Sequence, residues 1–465
     1  MIVPGIKQIT WLYHEFGLSS LYDTGKDAWL IIFTRCLRMF AYGTNSLIIA
    51  LFFNILKFSD FQIGLFMTLT LLGDVALSFF LTLVADKIGR RRILLAGAFL
   101  MVLSGATFAL AENFYILLVA AVVGVISATG SEIGPFRAVE ESTISHLTTP
   151  STRSDVLAWY VTTAAIGTSI GTEVCGQLVQ LLQSLGGWTL LDAYHTVFWI
   201  YSLTGAINMG LILLMSEKCE QHVQKTEEHY VLLETDSESE DEQMIPGGKS
   251  NQDDNLRSYK NTPRKAGVFA HISPESRGVM YKMCALFAMD SLGGGMSPWS
   301  LINYYLDLKF HVSSSTLGTI ASVAFFISAM STLFASPLAR RIGLINTMVF
   351  THLPASIATS LLPAPPTLAP TVGLLFFRSA LANMDQAPRA AFVAAVVRPE
   401  ERTAVMGVNS MLRTLAQSLG PSITGLLAGG NRFWLAFVVA GILKASYDGF
   451  LWQWSLKIKL HQYEK

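Results

Sequence analysis

The sequence predicts an all-α membrane protein: twelve transmembrane helices in two pseudo-symmetric six-helix bundles. Three observations carry this. Hydrophobic residues make up 51% of the chain and charged residues only 14%, far from the balance of a soluble protein. Apolar runs near the roughly 20 residues that a bilayer crossing needs recur from Trp29 to the end, with short connections. Landmarks of the first half then return in the second at a near-constant offset.

Residues 1–27 are mixed in character and are expected at the cytoplasmic surface. They form either an interfacial face built on Trp11, Leu12, Phe16 and Leu18 or a flexible terminus. The first bundle is expected over 28–215, with helices near 28–53, 60–83, 93–111, 114–145, 156–185 and 193–215. Helix one carries Arg35 and Arg38, helix two Asp74, and helix four Glu132, Pro135, Arg137, Glu140 and Glu141. Helix five carries Glu173, with Gly167 and Gly171 spaced for close helix contact.

Composition then changes. Residues 216–277 are polar, with an acidic run from Thr235 to Glu242. Such a stretch lacks the apolar surface to fold alone and reads as a disordered cytoplasmic linker. Within it, Ser237 and Ser239 are followed by acids, either as phosphorylation sites or as part of a solvated spacer. The second bundle is expected over 278–456, with helices near 278–306, 315–338, 344–362, 368–397, 404–428 and 433–454, before a cytoplasmic tail at 457–465. Helix seven holds Asp290 and three consecutive glycines at 293–295; helix ten holds Arg378, Asp385, Pro388 and Arg389.

The repeat rests on unlike features. The turn Ala85-Asp86-Lys87-Ile88-Gly89 is echoed by Ala339-Arg340-Arg341-Ile342-Gly343, 254 residues on (340 minus 86). Arg137 after Pro135 is echoed by Arg389 after Pro388, 252 residues on (389 minus 137). Gly171 and Gly176 are echoed by Gly420 and Gly425, 249 residues on (420 minus 171). Basic residues gather in the loops on one side, among them Lys87, Arg90, Arg91, Arg92, Arg153, Arg340, Arg341, Arg398 and Arg402. The opposite loops hold little beyond Lys57, Lys309 and Arg432. That asymmetry predicts both termini and the linker inside.

The stretch Ala85, Asp86, Lys87, Gly89, Arg90, Arg91 and Arg92 resembles the signature loop of the major facilitator superfamily. Thr82 stands where that pattern has Gly, and Val84 where it has Leu. The resemblance, to a poorly assigned branch, covers the whole chain except the linker. It implies two homologous halves, a substrate site at the midplane between them, and secondary transport. It implies a gating role for Asp86 with the neighbouring arginines, and a weaker one for the second loop, where Arg340 replaces the aspartate. It does not imply a substrate. Residues Glu228 to Leu233 resemble an acidic dileucine sorting signal of eukaryotic endomembrane proteins, carried by Glu228, Leu232 and Leu233.

No hydrolytic or redox constellation and no Gly-rich phosphate loop is present, so no enzyme activity, cofactor or ATP motor is expected. The four cysteines, Cys36, Cys175, Cys219 and Cys284, have no metal-ligand spacing and suggest no disulfide framework. Zero net charge gives no argument for nucleic acid. No cleavable signal peptide is expected.

Charges within spans are the functional candidates, since each costs about 2.5–3.5 kcal/mol at mid-helix on insertion scales. Asp74, Glu132, Glu173, Asp290 and Asp385 are candidates for proton coupling. Burial favours a neutral carboxyl and a nearby arginine the ionised form, so alternation between the two moves a proton. Arg35, Arg38, Arg137 and Arg389 are candidates for a substrate cavity. Arg137 and Arg389 either bind an anionic substrate or neutralise neighbouring acids, and Arg137 has the i,i+4 spacing for an ion pair with Glu141.

The expected function is transport of a small molecule or ion by alternating access, coupled to protons, with efflux among the directions, by a monomer in the bilayer. A facilitated uniporter and a membrane sensor acting through the linker are the alternatives. The expected location is the plasma membrane or the vacuolar or lysosomal membrane.

Overall fold

The computed structural model describes residues 18–124, 126, 135–149, 152–220, 274–397 and 402–455. Among them are sixteen α-helices and no strand. A short α1 (Leu18–Thr24) precedes the spans of the first half: α2 (Lys26–Ile55), α3 (Asp60–Ile88), α4 (Arg90–Leu110), α5 (Phe114–Gly124), α6 (Pro135–Leu147), α7 (Arg153–Ser184) and α8 (Leu190–Leu213). The second half holds α9 (Pro274–Met296), α10 (Trp299–Phe310), α11 (Ser314–Ile342), α12 (Leu344–Leu361), α13 (Leu368–Leu381), α14 (Gln386–Val396), α15 (Arg402–Gly429) and α16 (Phe433–Ser455). Paired off as α5 with α6, α9 with α10 and α13 with α14, they give the twelve spans in two bundles of six.

Two spans differ from expectation. Helix seven, expected unbroken over 278–306, stops at Met296 and restarts at Trp299. Pro298 has no N–H for the helical ladder and pushes Ser297 out of the helical region, so the chain extends there (Pro298 φ −68°, ψ 158°). Helix ten, expected over 368–397, is interrupted by a turn at residues 382–385. Pro388 then sits in the first turn of α14, where a missing N–H costs nothing. Six helices among those described are individually long and apolar enough to cross a bilayer. Phe114–Gly124 and Leu368–Leu381 are apolar but fall short by length, since their spans are divided into shorter helices.

The packing repeats with the sequence. Spans one and five pack together (α2 on α7) as seven and eleven do (α9 on α15). Three and six (α4 on α8) match nine and twelve (α12 on α16). Between the halves, α7 lies on α11 and α15 on α3. The glycine echo occupies these contacts. A Cβ on Gly171 would lie 2.1 Å from the Phe40 carbonyl oxygen, and one on Gly420 2.2 Å from the Gly295 carbonyl carbon. A Cβ on Gly176 would lie 2.6 Å from the Ser314 carbonyl oxygen, and one on Gly425 2.5 Å from that of Asp60. So the first glycine of each pair seats a helix inside its own half, and the second seats the opposite half. Gly167 presses on Cys36 in the same way.

The halves meet at the end away from the signature turn. There Ser169 donates to the Ser322 carbonyl at 2.9 Å, and Ser422 Oγ bonds Thr68 Oγ1 at 2.7 Å. Tyr304 donates to Asp60 at 2.7 Å, and Asn303 Nδ2 to the Ser46 carbonyl at 3.3 Å. Glu173 belongs to this seam, accepting from Thr319 of the other half at 3.2 Å and from Gln177 at 2.8 Å. A phenylalanine cluster (Phe52, Phe53, Phe66, Phe108, Phe198) fills the first bundle at the same end.

Candidate functional site

Both signature turns are built on a glycine in the left-handed region, Gly89 (φ 103°) and Gly343 (φ 89°), where a Cβ is strained. The first turn is fastened. Arg91 donates to the carbonyls of Ile212 (3.2 Å) and Leu213 (2.5 Å) at the end of α8, where orphan acceptors point outward. The Arg91 N–H, at the start of α4, donates to the Glu220 carboxylate at 3.2 Å. Asp27 accepts from both the N–H and the hydroxyl of Ser216. Residues 216–220, assigned from sequence to the linker, are thus folded onto this turn, with a 3₁₀ turn at Glu217–Cys219. Arg90 is buried, whereas Arg92, Arg340 and Arg341 are exposed. The Asp86 and Lys87 side chains lie outside the described residues, as do Glu132, Glu228, Leu232, Leu233, Ser237 and Ser239.

Arg35 and Arg38 converge on one buried group, as their spacing of one turn suggests. Arg38 forms a bidentate pair with Glu140, at 2.9 and 2.7 Å, and stacks over Phe136 at 5.0 Å. Tyr160 donates to the same carboxylate at 2.9 Å, and the Arg35 guanidinium lies 3.7 Å over the Tyr160 ring. Each is at most 6% exposed. Planar pairing and cation–π contact suit a guanidinium that water does not reach. Asp74, at the middle of α3, is 5% exposed, and its Oδ1 has no hydrogen-bond partner among the described residues. Tyr201, fully buried, lies within electrostatic reach of Asp74 and Arg38.

The larger group is in the second half. Asp290 on α9 takes Arg389 Nη1 at 2.8 Å, His352 Nε2 at 3.3 Å and Lys444 Nζ at 3.6 Å. Arg389 also pairs with Asp385 one turn earlier, and lies 5.2 Å from the rings of Phe287 and Tyr447. The other His352 nitrogen, Nδ1, is 2.9 Å from Asp448 Oδ2 on α16. Ser356 donates to His352's own carbonyl and lies 3.4 Å from Asp448. Asp448 is 0% and His352 2% exposed. Arg413 lies alongside, donating to Ser291 at 3.3 Å.

Of the residues singled out from sequence, Asp290, Asp385 and Arg389 are thus joined, as are Arg35 and Arg38. Arg137 is not part of either group. It is about half exposed and pairs with Glu141 at 2.7 Å. The buried counterpart of Arg389 is instead Glu140, one turn away, at the glycine offset of 249 residues (389 minus 140). The sequence places Glu140 on helix four but not among the site candidates, and Tyr160, His352, Lys444, Tyr447 and Asp448 are not singled out there. His352, Lys444 and Asp448 stand in otherwise apolar runs, so the rule that marks charges within spans applies to them equally.

Comparison with known proteins agrees with this architecture. The family profile described as Major Facilitator Superfamily matches residues 31–271 and 283–462. An uncharacterized membrane protein of Saccharomyces cerevisiae, YJR124C, is 33% identical over 431 residues, covering 91% of this chain and 92% of its own. Among solved structures, an inward-facing, occupied bacterial homolog of the human lysosomal transporter Spinster aligns with TM-score 0.66 at 15% identity, covering 93% of this chain and 96% of that one. The partially occluded, inward-open xylose transporter XylE of E. coli aligns with TM-score 0.64 at 13% identity, covering 92% and 99%. With its signature turn, its doubled six-span packing and a profile match along both halves, this chain belongs to the Major Facilitator Superfamily of membrane solute transporters.

Proposed function

We propose that the protein is a secondary active transporter that moves a small solute by alternating access and couples the movement to protons. The observation that carries the coupling is His352 between Asp290 and Asp448, with a carboxylate at each ring nitrogen. A neutral imidazole offers one N–H and one lone pair. Nδ1 hydrogen-bonds Asp448 and Nε2 lies at ion-pair distance from Asp290, so favourable contact with both carboxyl groups requires two protons shared among the three side chains. Loss of one leaves a lone pair facing a lone pair in a buried site. Arg389 and Lys444 reach the same Asp290 carboxylate and take over when the proton leaves. Asp74, buried with one carboxyl oxygen unbonded among the described residues, is a second proton site in the other half.

The moving units are the bundles at 28–215 and 278–456, joined through residues 216–277. The excess of basic residues in one set of loops supports both termini and the linker on the inside. The seam described above is then the outer end, and the conformation opens inward. The signature turn closes the inner end in the opposite state through Asp86 and the arginines.

The test is proton movement in sealed vesicles holding the purified protein, challenged with drug cations, organic anions, sugars and metal ions. A compound-dependent proton flux that is lost in His352→Gln and Asp290→Asn supports coupling. Transport with no proton movement identifies a uniporter.

One observation favours a second reading, a sensor acting through the linker: the linker's first residues are fastened to the signature turn by Glu220 and Arg91. Deleting residues 234–252 separates the two. A transporter continues to turn over, whereas a linker-signalling sensor loses its output.

A further inference from the structure

The seam between the halves holds a half-open cleft, with Gln180 and Gln183 exposed at its walls, that the charged groups above do not use. Its volume is about 330 Å³, at the small end of ligand sites. Asn54, Gln180, Gln183 and Tyr194 line it from the first half, and Asp307 and Ser314 from the second. Among the described residues, Asp307 is the one charged residue of the lining, and no lysine or arginine is in the walls. The nearest lysine in sequence, Lys309, is turned away, donating to the carbonyls of Pro363 (2.7 Å) and Pro365 (2.8 Å). The titratable groups that bear on Asp307 are His311, exposed at the end of α10, and the tyrosines 194 and 304. Asp307 thus makes no ion pair among the described residues. It faces amides and hydroxyls that both accept and donate.

We propose that this cavity binds a small organic cation of the hydroxylated-ammonium kind, and that occupancy holds the seam closed. The charge lies against Asp307, and the polar arm reaches the amides of Asn54, Gln180 and Gln183. Because the carboxylate comes from one half and the glutamines from the other, parting the halves dismantles the site. A ligand that binds only the closed seam shifts the population toward it, by as much as its affinity differs between the states. Closure of the seam rests on the alternating-access reading; binding at Asp307 does not.

The probe is choline, compared with its neutral isostere 3,3-dimethylbutan-1-ol, on the full-length protein in lipid nanodiscs. Calorimetry measures binding. Disulfide formation in a Ser169→Cys, Ser322→Cys variant reports the seam, since the two hydroxyls lie 3.1 Å apart. Choline is expected to bind and the isostere not. Asp307→Asn is expected to weaken choline by about tenfold or more, the worth of one charged contact. Gln183→Lys, which places a tethered ammonium in the cavity, is expected to exclude choline and to speed cross-linking on its own. If Asp307→Asn does not fold, Gln183→Lys carries the test. Equal binding of choline and isostere, or choline binding unchanged in both variants, overturns the cation site. Choline binding that leaves cross-linking unchanged overturns the closure. A protein that binds choline at Asp307 but moves no solute refutes transport and leaves the site standing.

Discussion

In the first half a cation on the first span, Arg38, holds an anion on the fourth, Glu140. In the second half an anion on the seventh span, Asp290, holds a cation on the tenth, Arg389. The positions correspond at 252 residues (290 minus 38) and 249 residues (389 minus 140), the offsets of the sequence repeat. The fold thus repeats the place of the buried pair and exchanges its signs. What the bundle needs there is a neutral, hydrogen-bonded pair tying two interior spans, because an uncompensated charge is costly in a dry interior. Which span supplies the cation is open.

The surroundings differ more than the pair. Glu140 takes Arg38 in a bidentate pair and the Tyr160 hydroxyl, with Arg35 stacked on the Tyr160 ring. Asp290 is shared among Arg389, His352 and Lys444, and the chain of contacts runs on to Asp385 and Asp448. On the proposed reading it is the second group that exchanges the proton. The turns differ in the same sense: that of the first half is fastened by Arg91, Asp27 and Glu220, while Arg340 and Arg341 of the second are exposed.

The sharpest way to break this comparison is to neutralise one acid in each half. Asp290→Asn is expected to lower compound-driven proton flux in vesicles by at least about a hundredfold, the scale of a lost proton-transfer group. Glu140→Gln is expected to keep flux stoichiometry per solute while destabilising the protein by about 3–5 kcal/mol, since the buried Arg38 loses its bidentate carboxylate. Thermal unfolding in nanodiscs measures the second effect. Equal loss of coupling in both variants would put the two pairs in one role.

Exchanging the signs in the first half sharpens the point. Arg38→Glu alone is expected to prevent stable folding. Arg38→Glu with Glu140→Arg is expected to recover much of the stability, with a coupling energy of about 1–3 kcal/mol read from the double-mutant cycle. A double variant no better than the single one would mean that the sign is fixed by something besides the pair.

At the seam, Gly176→Leu and Gly425→Leu strike corresponding contacts. Each is expected to cost about 1–3 kcal/mol by overpacking and to slow Ser169→Cys, Ser322→Cys cross-linking. The smallest effect is expected away from both halves' charges. Thr189 caps α8 and Asp192 returns the contact, so Thr189→Ala is expected to cost about 1 kcal/mol in unfolding and to leave flux unchanged.

By itself the sequence determined that twelve apolar segments cross a bilayer in two matching sets, because segment length, glycine turns and loop charge act locally along the chain. It also marked Asp290, Asp385, Arg389, Arg35 and Arg38 as costly charges in need of partners. Breaks in helices seven and ten were within its reach too, through Pro298 and Pro388, but apolar continuity outweighed them. Only the tertiary structure decided the pairings. Glu140 rather than Arg137 faces inward because a helix turns by about 100° per residue, and one turn of register selects which neighbour an interior span presents. His352, Lys444 and Asp448 join Asp290 from spans far apart in the chain. That meeting depends on how α9, α12 and α16 pack, which no local pattern specifies.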